Sequence, residues 1–391
     1  MFSMLPVSYD VGIIISRHKK REQRPTATFL CGIGTVMDAS EIINFFTSPT
    51  MPGSPSRVAH MTLSGNQPPW QSSGLVAKKD QSYSLFADGL ICWSERYPEL
   101  HGGPEFHLWA RVDGGRAVNL SAASGTFKAD ASGEIELGIY MGMWGDEYGN
   151  LATDESLYAS LRGSIEAVIV LHGSDPAHEI SGRRAQSDMP RLVATELRRL
   201  KNPYQTPTGW MYLHEAGYST MFREGTAEAN PEIHVSAESD QGILRRAVDF
   251  ELSQSTHIEW TWRVDEHPSL AREDKAKTHD YISVAAEFDN GRDLTWIWSS
   301  CLDHGYHFEC PVRAWSKRET HYVVRSQGDE IGKWYSERRN IFDDVKESMG
   351  PPPAKITAVW LIALSTFQHR TARARFTDIK LANNERLVQV L

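Results

Sequence analysis

The most constraining pattern in the chain lies just after Thr256. Ile258, Trp260, Trp262 and Val264 alternate strictly with His257, Glu259, Thr261, Arg263 and Asp265. Period-two alternation in a run this rich in Trp and β-branched residues fits a strand with one apolar and one polar face. Two more apolar runs follow, Tyr281–Phe288 and Leu294–Ser299, joined through Asp289-Asn290-Gly291. Asn-Gly between apolar runs is a tight-hairpin signal, because both residues tolerate positive φ. The three runs read as one meander, aromatic on its core face, with an acid, a base and a guanidinium in a row on the other.

A chain of 391 residues is long enough for two domains with real cores. Its net charge of −9 argues against a duplex nucleic-acid binder, which needs a basic face. Twelve Trp and thirteen Tyr suit sheet cores and raise the prospect of an aromatic-lined ligand cleft. Four cysteines, Cys31, Cys92, Cys301 and Cys310, do not make a disulfide scaffold and fit a reducing compartment. No run reaches the length of a membrane span. The basic cluster Arg17-His18-Lys19-Lys20-Arg21 follows the apolar segment Leu5–Ser16, the reverse of a secretory signal. The expectation is a cytoplasmic protein with a small-molecule ligand and neither nucleic acid nor membrane as partner.

Residues 1–66 read as a poorly ordered extension holding one short helix at Asp38–Phe46, capped by Asp38 or Ser40, before the linker TSPTMPGSPS. Residues 67–172 carry short strands at Ser82–Phe86, Gly89–Ser94, Phe106–Val112, Gly125–Ala129, Glu134–Tyr140 and Ser164–Leu171, punctuated by turns such as Ala87-Asp88-Gly89. Such spacing without helical pattern predicts an antiparallel sandwich. Residues 173–203 are a connector whose helix starts at Ser187-Asp188-Met189-Pro190 and ends before Pro203. Residues 204–391 form the second sandwich, with one helix at Ile341–Met349 stopped by Gly350 and Pro351-Pro352-Pro353. The fold class expected is all-β, two antiparallel β-sandwiches of jelly-roll or lectin-like type joined by a helical connector.

The series Trp70, Gly74, Tyr83, Phe86, Gly89 and Trp93, with Gly102-Gly103, Ala110-Arg111-Val112, Gly125-Thr126-Phe127 and Gly133–Tyr140, resembles the bacterial calcium-dependent galactophilic lectins over residues 70–171. That resemblance implies a lectin sandwich with calcium ligands in the loop after Tyr140. Here that loop, Met141–Asn150, offers Asp146, Glu147 and Asn150 but no Asn pair, too few oxygens for a six- to eight-coordinate ion. Further on, WTWRVDEHP, THDYIS, LTWIWS and SERRN resemble an uncharacterised bacterial domain family of unknown function across residues 205–385. The sandwich architecture of that family resembles carbohydrate-binding jelly rolls.

Three constellations carry possible chemistry. In the polar row, His257, Glu259 and Arg263 are the catalytic candidates, with Asp265, Asp280 and Arg338-Arg339 nearby. An acid and a base two residues apart on one face can serve one ligand, and Arg offers a bidentate fork. The second is Cys301, Asp303, His304, His307 and Cys310. Their C-x2-H-x2-H-x2-C spacing offers a zinc set of two Cys and two His, but a single short loop would have to wrap the ion. The third is aromatic: Trp93, His107, Trp109, Tyr140 and Trp144. Substrate-binding roles are expected for Trp93, His107, Trp109, Trp144, Trp298, His304, His307 and Arg338, with no metal and no cofactor. Nucleophile elbow, phosphate loop, dinucleotide fingerprint and H-E-x-x-H are all absent from the sequence. The leading expectation is a cofactor-free enzyme that folds an apolar or aromatic substrate in an interdomain cleft for cyclisation, of Diels–Alder or hetero-Diels–Alder type, in specialised metabolism. The alternative is a lectin-like carbohydrate-binding protein without catalysis.

Overall fold

The computed structural model describes residues 37–48, 56–93, 101–141, 143–184, 188–214, 216–227, 230–275, 281–312, 315–368 and 370–391, and counts below refer to these. Residues 1–36, most of the Pro/Gly/Ser linker, Ser94, Gly142, Ser187 and Asp280 lie outside them. The fold is all-β: two mainly antiparallel β-sandwiches joined by helices.

In the first sandwich a five-stranded sheet runs Arg57–Ser64, Arg162–Leu171, Ser82–Cys92 and His101–Gly102, with Ser124–Lys128 also paired to Ser82–Cys92. It faces a four-stranded sheet of Trp70–Ala77, Gly133–Ile139, Leu108–Val112 and Val118–Asn119. Leu85, Ile165 and Ile169 from one and Leu108, Ile135 and Leu137 from the other close the core between them.

Two local readings change. Arg57–Ser64, expected in the extension, is an edge strand paired over its whole length with Arg162–Leu171. Only Leu63 is fully buried in it, so its own sequence carries almost no alternation to read. Ala87-Asp88-Gly89, expected as a turn, lies inside the continuous strand Ser82–Cys92. Gly89 takes a φ of +124°, and a Cβ there would sit 2.2 Å from the Ser164 carbonyl oxygen. The glycine thus serves close strand-to-strand approach rather than chain reversal.

The helix Ala39–Thr47 forms with Asp38 as cap, its carboxylate accepting from the Ser40 and Glu41 amides. The connector holds two helices, Pro176–Arg184 and Arg191–Lys201, where one was expected. All three lie on the outer face of the five-stranded sheet, where Phe46, Ile180 and Leu197 pack on Phe86, Val168 and Val170.

In the second sandwich a seven-stranded sheet runs Met211–Tyr212, Gln241–Glu251, Lys355–Leu364, Ile282–Phe288, Asp293–Trp298, Glu319–Arg325 and His307–Glu309. One pair, Asp293–Trp298 with Glu319–Arg325, is parallel. The opposing six-stranded sheet runs Phe222–Ala227, Asn230–Glu238, Thr371–Ala382, His257–Glu266 and Trp334–Asn340, with Leu387–Gln389 paired to Thr371–Ala382. The hairpin at Gly291 forms, and only the glycine adopts positive φ there. The meander does not: His257–Glu266 lies in the six-stranded sheet, and Ile282–Phe288 and Asp293–Trp298 lie in the other. Their aromatic faces still meet, across the sandwich rather than along one sheet, with Trp260 against Trp296 and Trp262 against Trp298.

Candidate functional site

Strand His257–Glu266 buries every second residue, which leaves His257, Glu259, Thr261, Arg263 and Asp265 on the outward face of the six-stranded sheet. Register adds the neighbours that the sequence of one strand cannot supply. Glu259 stands between Arg338 and Lys380. Its Oε1 accepts from Arg338 Nε at 3.0 Å and its Oε2 lies 2.9 Å from Lys380 Nζ. Lys380 above all, with Arg338 and His257, holds the Glu259 carboxyl below its ordinary value. His257 donates from Nδ1 to the Ser255 carbonyl, and its Nε2 lies 3.2 Å from Arg338 Nη2. A carboxylate held this way serves as acceptor and fixed charge; it is a poor proton donor near neutrality.

Two residues on, Thr261 is flanked by Ser336 and Thr377, and Arg263 by Trp334 and Arg375. Arg263 Nε donates to Asp265 Oδ1 at 2.6 Å, and Arg375 Nε stands 3.7 Å from Asp265 Oδ2. The row continues from Arg375 to His234 and from His234 to Arg223. His234 Nε2 lies 2.6 Å from Glu232 Oε2. Trp334, at the other end, is 39% exposed and is the one exposed tryptophan of the twelve.

Of the other sequence candidates, Trp298, His304 and His307 lie away from this face, and Trp93, His107, Trp109 and Trp144 belong to the first sandwich. Arg338 is on the face, but Arg339 points inward to Asp344 and joins the core side. Trp298 is 2% exposed inside the second core, against Trp262 and Tyr335. His304 pairs with Asp329 at 2.7 Å. His307 stacks on Tyr322 with ring centroids 5.9 Å apart. Among the described residues no group of three or more His, Cys, Asp or Glu side chains is arranged to hold a metal ion. Both Asp146 oxygens are occupied within their own loop, by the amides of Tyr148 and Asn150 and by Asn150 Nδ2.

In the first sandwich Trp109, Tyr140 and Trp144 form a packed cluster on the outer side of the four-stranded sheet, with Trp70 stacked on Trp144 at 5.4 Å. Trp93 donates from Nε1 to His107 Nε2 at 3.0 Å, and the opposite ring nitrogen, Nδ1, lies 2.7 Å from the Tyr140 carbonyl oxygen. These contacts fix His107 as the neutral Nδ1–H tautomer. Full burial lowers its value to about 4, against an opposing pull from the Tyr140 carbonyl. Because the unfolded histidine titrates near 6.5, the unfolded chain takes up the proton first as pH falls. Stability is therefore full above about pH 6.5 and declines toward pH 4, by on the order of 3 kcal/mol from this residue. Urea denaturation between pH 7 and pH 4.5 should show that slope, and His107→Gln should flatten it; an unchanged slope in the variant would assign it elsewhere.

One constellation escaped the sequence entirely. Ser84 Oγ lies 2.8 Å from His172 Nε2, and His172 Nδ1 lies 3.2 Å from Glu179 Oε2, the order of nucleophile, base and acid. Ser84 and His172 are fully buried beneath the helices, so the chain serves to tie helix Pro176–Arg184 to the sheet. Burial would raise the Glu179 carboxyl, but hydrogen bonds from His172 and Ser56 and the Arg183 charge hold it below its ordinary value. No spacing signal announces such a group, because Ser84 and His172 are 88 positions apart. An open depression of about 480 Å³ between this helix and Arg191–Lys201, lined by Arg184, Met189, Leu197, Arg198 and Lys201, touches none of the sequence candidates.

Fold and site together define a two-sandwich β-protein with one open, polar sheet face. Residues 210–380 match the model of a protein family of unknown function, DUF3047. No curated protein matches the chain. Among solved structures, the N-terminal domain of EclA, a PllA-like lectin, is 12% identical, covering 29% of this chain and 96% of its own, at a TM-score of 0.23. The family 30 carbohydrate-binding module of the cellulosomal cellulase Cel9D-Cel44B of Clostridium thermocellum is 12% identical, covering 47% and 96%, at 0.27. The xyloglucanase domain of NopAA, a type three effector from Sinorhizobium fredii, is 8% identical, covering 46% and 96%, at 0.27. At scores this low neither fold nor ligand carries across. No helix among the described residues is long and apolar enough to cross a membrane.

Proposed function

We propose that the protein binds a carbohydrate on the outward face of its six-stranded sheet, without catalysis there. The observation that carries this reading is Trp334. Every other tryptophan is committed to packing or half-buried, whereas this one lies open beside a flat field of hydroxyls and charges. A pyranose presents an apolar C–H face and a rim of hydroxyls, so one exposed ring supplies contact area while its neighbours supply hydrogen bonds. Thr261, Ser336 and Thr377 in the row on one side of Trp334, and Asp265 on the other, are suited to those hydroxyls. The cyclisation reading needs an aromatic cavity built from Trp93, Trp109, Trp144 and Trp298. Those residues are spent on separate packing clusters, so it is not favoured.

Calorimetric titration against a panel of neutral and acidic oligosaccharides tests the reading. Trp334→Ala should weaken binding about 10- to 100-fold, as truncation of an aromatic anchor usually does. Its melting temperature should hardly move, since a surface change stays within about 0.5 kcal/mol. No binding to any member, or equal binding by the variant, would remove this face as a sugar site.

A further inference from the structure

Arg223, His234, Arg375, Arg263 and Trp334 come from five consecutive strands and stand directly opposite one another in register. At about 4.8 Å per strand the row spans about 19 Å. Its composition is unusual for a sheet surface. Like charges directly opposite across strands destabilise a sheet, yet Arg375 and Arg263 are placed in just that way. They share a single carboxylate, Asp265. His234 has Glu232, and Arg223 lies over the Tyr204 ring at 5.5 Å. Three guanidiniums and an imidazole thus share two carboxylates, in a chain whose net charge is −9.

Resting on the carbohydrate reading, we propose that the glycan is acidic: a uronate-bearing oligosaccharide lies along this row, its carboxylates on Arg375, Arg263 and Arg223 and one sugar ring on Trp334. The planar guanidinium fork matches a carboxylate edge-on, and a bound anion relieves the repulsion between the two opposed arginines. The acids of the same face, Glu259 and Asp265, discriminate against a densely charged phosphate chain. They leave room for a polymer whose charges are spaced by hydroxyl-bearing rings.

The test uses oligomers of galacturonate, glucuronate and mannuronate, the same oligomers with carboxyls reduced to alcohols, and an oligothymidylate. At least one uronate oligomer should bind about 10-fold or more tighter than its reduced counterpart, with affinity falling as salt rises. Arg375→Gln should remove about 10-fold of that preference and leave the reduced oligomer unaffected. Arg375→Lys, which keeps the charge and the fold, should recover part of it. Equal affinity for acidic and reduced oligomers overturns the acidic-ligand inference while leaving sugar binding intact. Oligothymidylate binding as tightly as the uronates overturns it too, in favour of a general polyanion track. If no sugar of either kind binds, the carbohydrate reading itself fails.

Discussion

Replacing Asp344 with alanine is expected to cost about 3 kcal/mol of folding stability, because it strips the acceptor from a buried indole and breaks a part-buried charge pair from one side only. Asp344 is 4% exposed at the start of helix Ile341–Ser348. Its carboxylate accepts from Arg339 Nε at 2.9 Å and Nη2 at 2.5 Å, and from Trp296 Nε1 at 2.8 Å. The variant leaves a fully buried indole N–H without its acceptor and a guanidinium without its counter-charge. The neighbouring Arg338→Ala should cost no more than about 1 kcal/mol, because that side chain lies on the open face. Urea denaturation of the two proteins checks this, and equal midpoints would mean that the inward pair contributes no more than the exposed one.

Trp262→Ala should be comparably severe, about 3–5 kcal/mol. The ring is fully buried, within 6.3 Å of Trp260, Trp298 and Phe376. Its Nε1 donates to Glu337 Oε1 at 3.0 Å, an oxygen that also accepts from Arg325. Glu259→Gln, three positions earlier on the opposite face, should change stability little. Thermal denaturation of the pair separates the two faces of one strand, and a Trp262→Ala protein that melts like wild type would place the ring outside the core.

What the sequence makes legible is local. The alternation at 257–265 states which residues face water, Asp38 announces its helix, and Asn290-Gly291 its hairpin. What it does not state is which strands lie alongside. Arg338 and Arg339 look equivalent in sequence, and only pairing with His257–Glu266 sends one outward and the other to Asp344. Arg223, His234, Arg375 and Trp334 carry no shared motif and become one row through register alone. The aromatic candidates illustrate the same point: Trp109 and Trp144 stand outside the main core but pack against each other, Tyr140 and Trp70. Exposure of a ring depends on what covers it, and that cover is not in the ring's own strand.

The order of strands in the six-stranded sheet has a consequence for how the protein is made. His257–Glu266 sits between two strands that are synthesised later, with Arg338 following its partner Glu259 by 79 positions. Thr377, which donates to the Pro231 carbonyl, follows Pro231 by 146. Pairings this distant close late and slow folding relative to local hairpins. While the ribosome is still delivering Thr371–Ala382, strand His257–Glu266 has at most its other neighbour, Trp334–Asn340, and one of its edges is open to misassociation. The row from Arg223 to Trp334 is complete only when that late strand is seated, so binding at the proposed site would report that the second sandwich has finished folding.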